Sequence, residues 1–156
     1  MNKINELPVH SERELTITRL FKAPRALVFK AWTTPEHLAH WSGPQGFTTP
    51  QHSMDLRPGG AYRACLRAPD GSEHWVQGVY REIAAPERLV FTHAWEDANG
   101  HPGHQTLVTV TFADHGGQTM MTFHQAEFDS VASRDGHEGG WSSSFERLAA
   151  YLEDAA

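Results

Sequence analysis

The 156-residue chain has one cysteine, Cys65. An intramolecular disulfide is thereby excluded, a cysteine-based zinc site finds no support, and the residue suits a small packed position in a strand. There is no Lys- or Arg-rich run, and the formal net charge is −6. The basic stripe that displaces phosphate counterions is therefore missing, which argues against nucleic-acid binding. No span of about 18 apolar residues occurs, and residues 1–14 are polar, without the apolar centre of a secretory signal. No membrane insertion is expected, and the expected compartment is the cytoplasm. Compact chemical motifs are lacking too. No HExxH or GxSxG is present, and Gly59-Gly60 is not followed by the GK[ST] of a phosphate loop. No cofactor and no metal are implied.

Aromatic residues are plentiful, at 10 % with five tryptophans. So much ring surface is not left in water, so the chain should fold around one real core. Eleven histidines are enough to reverse the sign of the formal charge if all were protonated, which makes surface charge steeply acid-sensitive. Residues 1–12 read as a flexible lead segment and residues 13–156 as a single domain.

Glu14 to Phe21 alternates as a strand and ends at a proline break. Pro24 then opens a helix along RALVFKAWT, and Thr34-Pro35-Glu36 opens a second short one with Leu38 and Trp41 inward. From His52 the period becomes two. His52, Met54 and Leu56 share a face, as do Tyr62, Ala64 and Leu66, then Leu89, Phe91, His93 and Trp95. Val108, Val110 and Phe112 form a further set, and Thr119, Met121 and Phe123 the last. Turn signals at RPGG, PDG, APE, NG and DHGG separate the runs. A strand spans Glu73 to Ile83, where Gly78, a candidate bulge or close-approach site, blurs the parity of Trp75. In the last twenty residues Trp141, Phe145, Leu148, Ala149 and Leu152 make one helical stripe. Gly139 and Gly140 precede it at a cost of about 1 kcal/mol each relative to alanine. They suit a frayed helix start, a close approach to the sheet, or room left for something else.

The pieces APRALVFKAWTTPEHLAHWSGP, DLRPGGAYR, GVYREIAAPERLVFT and GGW followed by SFERLAAYL resemble, in order, the AHSA-type family. These are homologues of the activator of heat-shock protein 90 ATPase, in the START-like or SRPBCC superfamily. The resemblance covers residues 13–153. It implies an α+β helix-grip fold, in which a seven-stranded antiparallel sheet wraps a long C-terminal helix, with two short helices after strand 1, and encloses an apolar cavity. It carries no shared catalytic set, because the superfamily hosts carriers, cyclases, receptors and co-chaperone domains on one scaffold.

The candidate ligand-binding surface is Met54, Tyr62, Leu66, Phe91, His93, Trp95, Phe112, Met121 and Phe123, roofed by Trp141 and Phe145, with Trp41 and Phe47 near the mouth. Leu56 and Val110 share it. Mostly apolar walls with a few polar groups are the composition of a ligand pocket. His93, with Tyr62 across the sheet, is the one acid–base candidate. A metal set of His93, His124, His137 and Glu127 lacks compact ligand spacing.

Three function classes follow. A binder of an apolar or aromatic small molecule, without catalysis, fits best, because inward aromatics far outnumber inward ionisable groups. A cavity enzyme of the cyclase or hydrolase kind would use His93. A co-chaperone-like domain would bind a protein. In eukaryotic activators that domain follows a separate N-terminal domain, whereas here residues 1–13 precede the first strand, so a chaperone partner gains no support. Oligomeric state is left open.

Overall fold

Alternation along ELTITRLF produces β1 (Glu14–Phe21), with Leu15 and Phe21 buried and Thr16, Thr18 and Leu20 exposed. The computed structural model describes residues 13–155, so the flexible segment expected over residues 1–12 lies outside the described residues. Pro24 caps α1 (Arg25–Thr33), and Pro35 occupies the first turn of α2 (Pro35–Trp41), where a missing N–H costs nothing. Six strands follow: β2 (Thr48–Met54), β3 (Ala61–Arg67), β4 (Glu73–Ala84), β5 (Arg88–Trp95), β6 (Thr106–His115) and β7 (Gln118–Ala126).

The strands form one antiparallel seven-stranded sheet in the order β1-β7-β6-β5-β4-β3-β2. Consecutive strands from β2 to β7 are neighbours, joined by turns or, between β5 and β6, by the longer loop over residues 96–105. The single crossover, from β1 to the far edge at β2, carries α1 and α2. The last element, α3 (Val131–Ala155), buries Phe145, Leu148 and Leu152 to 1 % exposure or less. This is the helix-grip architecture that the resemblance implies.

The C-terminal helix starts six residues before His137, the first residue of the expected helical stretch. Ser130 is its N-cap: the Ser130 hydroxyl accepts the Ser133 N–H at 3.0 Å, and the Ser130 carbonyl accepts that of Arg134 at 3.1 Å. Gly136, Gly139 and Gly140 therefore lie inside the helix rather than at a frayed start. A β-carbon at Gly136 or Gly139 would meet nothing within 4 Å, and one at Gly140 only Pro44 at 3.9 Å, so close backbone approach does not explain them.

The core is centred on Trp32 of α1. Its ring lies 4.8 Å from Trp41, 6.0 Å from Trp141 and Phe145, 6.2 Å from Phe123 and 6.3 Å from Phe91. One residue thus ties the crossover helices to the sheet and to α3, by edge and offset ring contacts. Leu56, expected inward, is exposed at 41 %, because β2 ends at Met54 and the chain turns at Asp55, whose N–H bonds the Ala61 carbonyl. No helix among the described residues is long and apolar enough to cross a membrane.

Candidate ligand-binding cavity

Gly78 resolves the parity of β4. It pairs with Tyr62 of β3, and a β-carbon on it would sit 2.5 Å from the Tyr62 ring and 2.0 Å from the Thr92 carbonyl. Only glycine lets the Tyr62 ring cross β4 and donate its hydroxyl to the Thr92 carbonyl of β5 at 2.7 Å. The Thr92 hydroxyl in turn accepts the Val79 N–H at 2.8 Å. Gly78 is thus a close-approach site, and inward residues of β4 are Val76 and Tyr80. Trp75 lies on the outer face under the Arg63 guanidinium, 3.9 Å from its ring centroid.

Between the sheet and α3 lie two adjoining compartments. The inner one, about 100 Å³, is lined by Trp32, Leu38, Trp41, His52, Tyr62, Ala64, Val76, Tyr80, Leu89 and Phe91. The outer one, about 410 Å³, lies between Phe47, His74 and Trp95 on one side and Ala132, Ser133, Gly136, His137, Gly140 and Ser144 of α3 on the other. Gly43, Leu66, His93 and Trp141 border both, at the neck where the two meet. Ala132, Gly136 and Gly140 recur at i, i+4 and i+8, so the small residues of the first half of α3 are what leaves the outer space open. Among the described residues no Asp, Glu, Lys or Arg lines either compartment.

Two hydrogen-bonded chains hold the neck. The Trp141 indole donates to the Gln125 side chain at 2.8 Å, the Gln125 amide donates to the Thr106 hydroxyl at 2.8 Å, and that hydroxyl donates to the His93 carbonyl at 3.1 Å. Gln125 is fully buried and Thr106 nearly so, so this chain fixes Trp141 against β5 through β6 and β7. The Trp95 indole donates to His137 Nε2 at 3.0 Å, and His137 Nδ1 donates to the Ser133 carbonyl at 2.7 Å. These two bonds together specify the neutral tautomer that carries its proton on Nδ1. The loop after α2 is tethered as well: Arg147 of α3 donates to the Ser42, Gly43, Pro44 and His40 carbonyls at 2.7–3.2 Å, and the Ser143 hydroxyl accepts the Gln45 N–H at 2.9 Å.

His93 is 6 % exposed, with the rings of Trp95, His137 and Trp141 5.4–5.8 Å away. Burial, with a smaller contribution from His137, pushes its pKa down to about 3. The imidazole is therefore neutral at physiological pH. A base this weak is poorly matched to proton abstraction near pH 7, whereas a neutral imidazole offers one donor and one acceptor to a bound molecule. Tyr62, the other half of the acid–base pair considered from sequence, has its hydroxyl committed to the Thr92 carbonyl, and burial raises its pKa well above the usual phenol value.

The structure gathers Trp41, Tyr62, Leu66, Phe91 and His93 around the inner compartment, and Phe47, Leu66, His93, Trp95 and Trp141 around the outer one. Trp41 is at the floor rather than the mouth: it is 1 % exposed and its indole donates to the Ala31 carbonyl at 3.1 Å. Trp95 stands at the rim, 36 % exposed. Phe112, Met121, Phe123 and Phe145 face inward as expected but border neither compartment, being packed to 2 % exposure or less, and Met54 packs against the core edge. Of the histidines weighed as metal ligands, His93 and His137 meet, whereas His124 pairs with Glu14 at 2.9 Å. Among the described residues no group of three or more metal-ligating side chains occurs. Sequence reasoning missed Trp32, His52, Tyr80 and His137 as wall residues, and Ala132, Ser133 and Gly136 on the helix. The Ser130 N-cap was the signal that would have placed the last three on α3.

Residues 22–153 match the profile of the family of Activator of Hsp90 ATPase homolog 1-like proteins. A protein of that family from Silicibacter pomeroyi superposes with a TM-score of 0.85 at 25 % identity, covering 92 % of this chain and 99 % of its own. A protein from Chromobacterium violaceum gives 0.80 at 28 %, covering 90 % and 97 %, and one from Arthrobacter aurescens 0.81 at 25 %, covering 92 % and 87 %. No functionally curated protein matches the chain.

Proposed function

The chain belongs to the family of Activator of Hsp90 ATPase homolog 1-like proteins, and on that premise we propose that it binds an apolar or aromatic small molecule between the sheet and α3 without transforming it. The observation that carries this reading is the pair of adjoining compartments whose walls hold no charged side chain and whose shared border holds a neutral histidine. Ligand pockets have this build: apolar walls that supply affinity by burial and a few placed polar groups that supply orientation. Catalysis needs a paired acid, base or nucleophile, and the depressed basicity of His93 and the committed hydroxyl of Tyr62 weigh against the acid–base pair that the sequence offers. The test is mass spectrometry of the purified protein under native conditions, followed by organic extraction. An added mass below about the size of a drug-like ligand, lost on extraction and restored by adding back the extract, is expected. Conversion of the extracted molecule by fresh protein would replace the binding reading with an enzymatic one.

A further inference from the structure

The inner compartment has apolar walls but holds polar groups that the fold leaves unused. Trp32 is 4 % exposed, and its indole N–H is buried without an acceptor among the described residues; His52 Nδ1 is likewise buried without a partner. Tyr80 and His93, at 5 % and 6 % exposure, make no side-chain hydrogen bond among the described residues either. Buried polar side chains are satisfied in the great majority of cases, so two sealed orphans beside two unbonded polar side chains around one small space point to something that belongs there, whereas the third sealed orphan, Thr49 Oγ1, lines neither compartment. Tyr62, on the same wall, shows the ordinary outcome, with its hydroxyl spent on a backbone carbonyl.

We infer that the inner compartment receives an uncharged hydrogen-bonding group of the ligand, a hydroxyl or a carbonyl, while the outer compartment holds its apolar body. This rests on the reading of the cavity as a binding site and specifies what enters first. Size sets the division. An apolar cavity of about 150 Å³ takes one benzene ring, so the inner 100 Å³ is too small for a ring and suits a substituent, whereas the outer 410 Å³ has room for a ring system. Charge sets the class. Tyr80 and His93 supply donors and acceptors on its wall, but no cation or carboxylate lines the space, so an ionised group would enter without a counter-charge.

The experiment uses the full chain and the neutral fluorophore N-phenyl-1-naphthylamine, displaced by three near-isosteric competitors: 2-naphthol, 2-methylnaphthalene and 2-naphthoate. The expected order is naphthol, then methylnaphthalene, then naphthoate, with the hydroxyl worth about 3–10-fold in affinity, the range of one hydrogen bond. Tyr80→Phe and His93→Leu are then compared. At least one should reduce the preference for naphthol over methylnaphthalene to less than about twofold. Tyr80→Phe should also keep the thermal midpoint, since it removes a hydroxyl with no protein partner, so loss of fold does not confuse the result. Equal affinity of naphthol and methylnaphthalene in the unsubstituted protein, or variants that weaken both competitors alike, would overturn the polar-end assignment and leave the cavity reading standing. Failure of the fluorophore and of every competitor to bind would overturn both.

Discussion

The two halves of α3 lie on the same sheet and do opposite things. From Phe145 to Leu152 the helix presents large apolar side chains, and they interlock with Phe112, Met121 and Phe123 of β6 and β7 until none exceeds 2 % exposure. From Ala132 to Gly140 it presents small residues toward β3 and β5, and the space they decline to fill becomes the outer compartment. The sheet supplies aromatic residues to both ends. An aromatic inner face is thus compatible with a solid core or with a cavity, and the side-chain volume on the facing helix decides between them.

The contrast is most easily broken at the packed end. Leu148→Ala removes a fully buried side chain that borders neither compartment, so a loss of about 2–5 kcal/mol is expected in chemical denaturation. A loss below about 1 kcal/mol would mean that this end is no better packed than the other.

Acid should act at the neck. His93 has a folded pKa of about 3 against 6.5 for the ordinary residue. Between those values the unfolded chain binds the proton and the folded chain does not, so stability is fully present above pH 6.5 and falls as the pH drops below it. The slope from His93 alone approaches about 1.4 kcal/mol per pH unit. Burial lowers the pKa of His52 as well, which adds in the same direction. Unfolding midpoints measured from pH 7.5 to 4.5 should fall less steeply in His93→Leu than in the unsubstituted protein; parallel curves would contradict the burial of a neutral imidazole there.

A smaller effect separates the two inner tyrosines. Tyr62→Phe leaves the Thr92 carbonyl without the phenol that bonds it at 2.7 Å and should cost about 0.5–1.5 kcal/mol, whereas Tyr80→Phe should cost nothing measurable. Equal effects on denaturation would show that the commitment of one hydroxyl and the freedom of the other have been misassigned.

Much of this was legible in the residues. Period-two alternation bounded by RPGG, PDG, APE and DHGG placed the strands, because a strand with one buried face writes that face into its sequence. The same alternation is silent on whether an inward side chain meets a void or a neighbour. Phe112, Met121, Phe123 and Phe145 were therefore correctly turned inward yet lie away from the cavity. Tyr80 was hidden by Gly78, whose purpose depends on the Tyr62 ring arriving from another strand, a contact that no local pattern contains. Of the three readings that the sequence allows for the helix glycines, a frayed start fails because the Ser130 cap places them inside α3, and room left open is the one that fits Gly140, with Gly136 beside it on the cavity wall, at a cost of about 1 kcal/mol each.

The most direct test of that last point compares two glycines three residues apart on the same helix. Gly136 lines the outer compartment and Gly139 does not, and neither would strain the backbone as a larger residue. Both Gly136→Leu and Gly139→Leu should hold or raise helix stability, by up to about 1 kcal/mol. Titration of N-phenyl-1-naphthylamine should then show binding weakened at least tenfold by Gly136→Leu and unchanged by Gly139→Leu. Full binding by a folded Gly136→Leu protein would contradict the claim that small residues on the first half of α3 make the binding cavity.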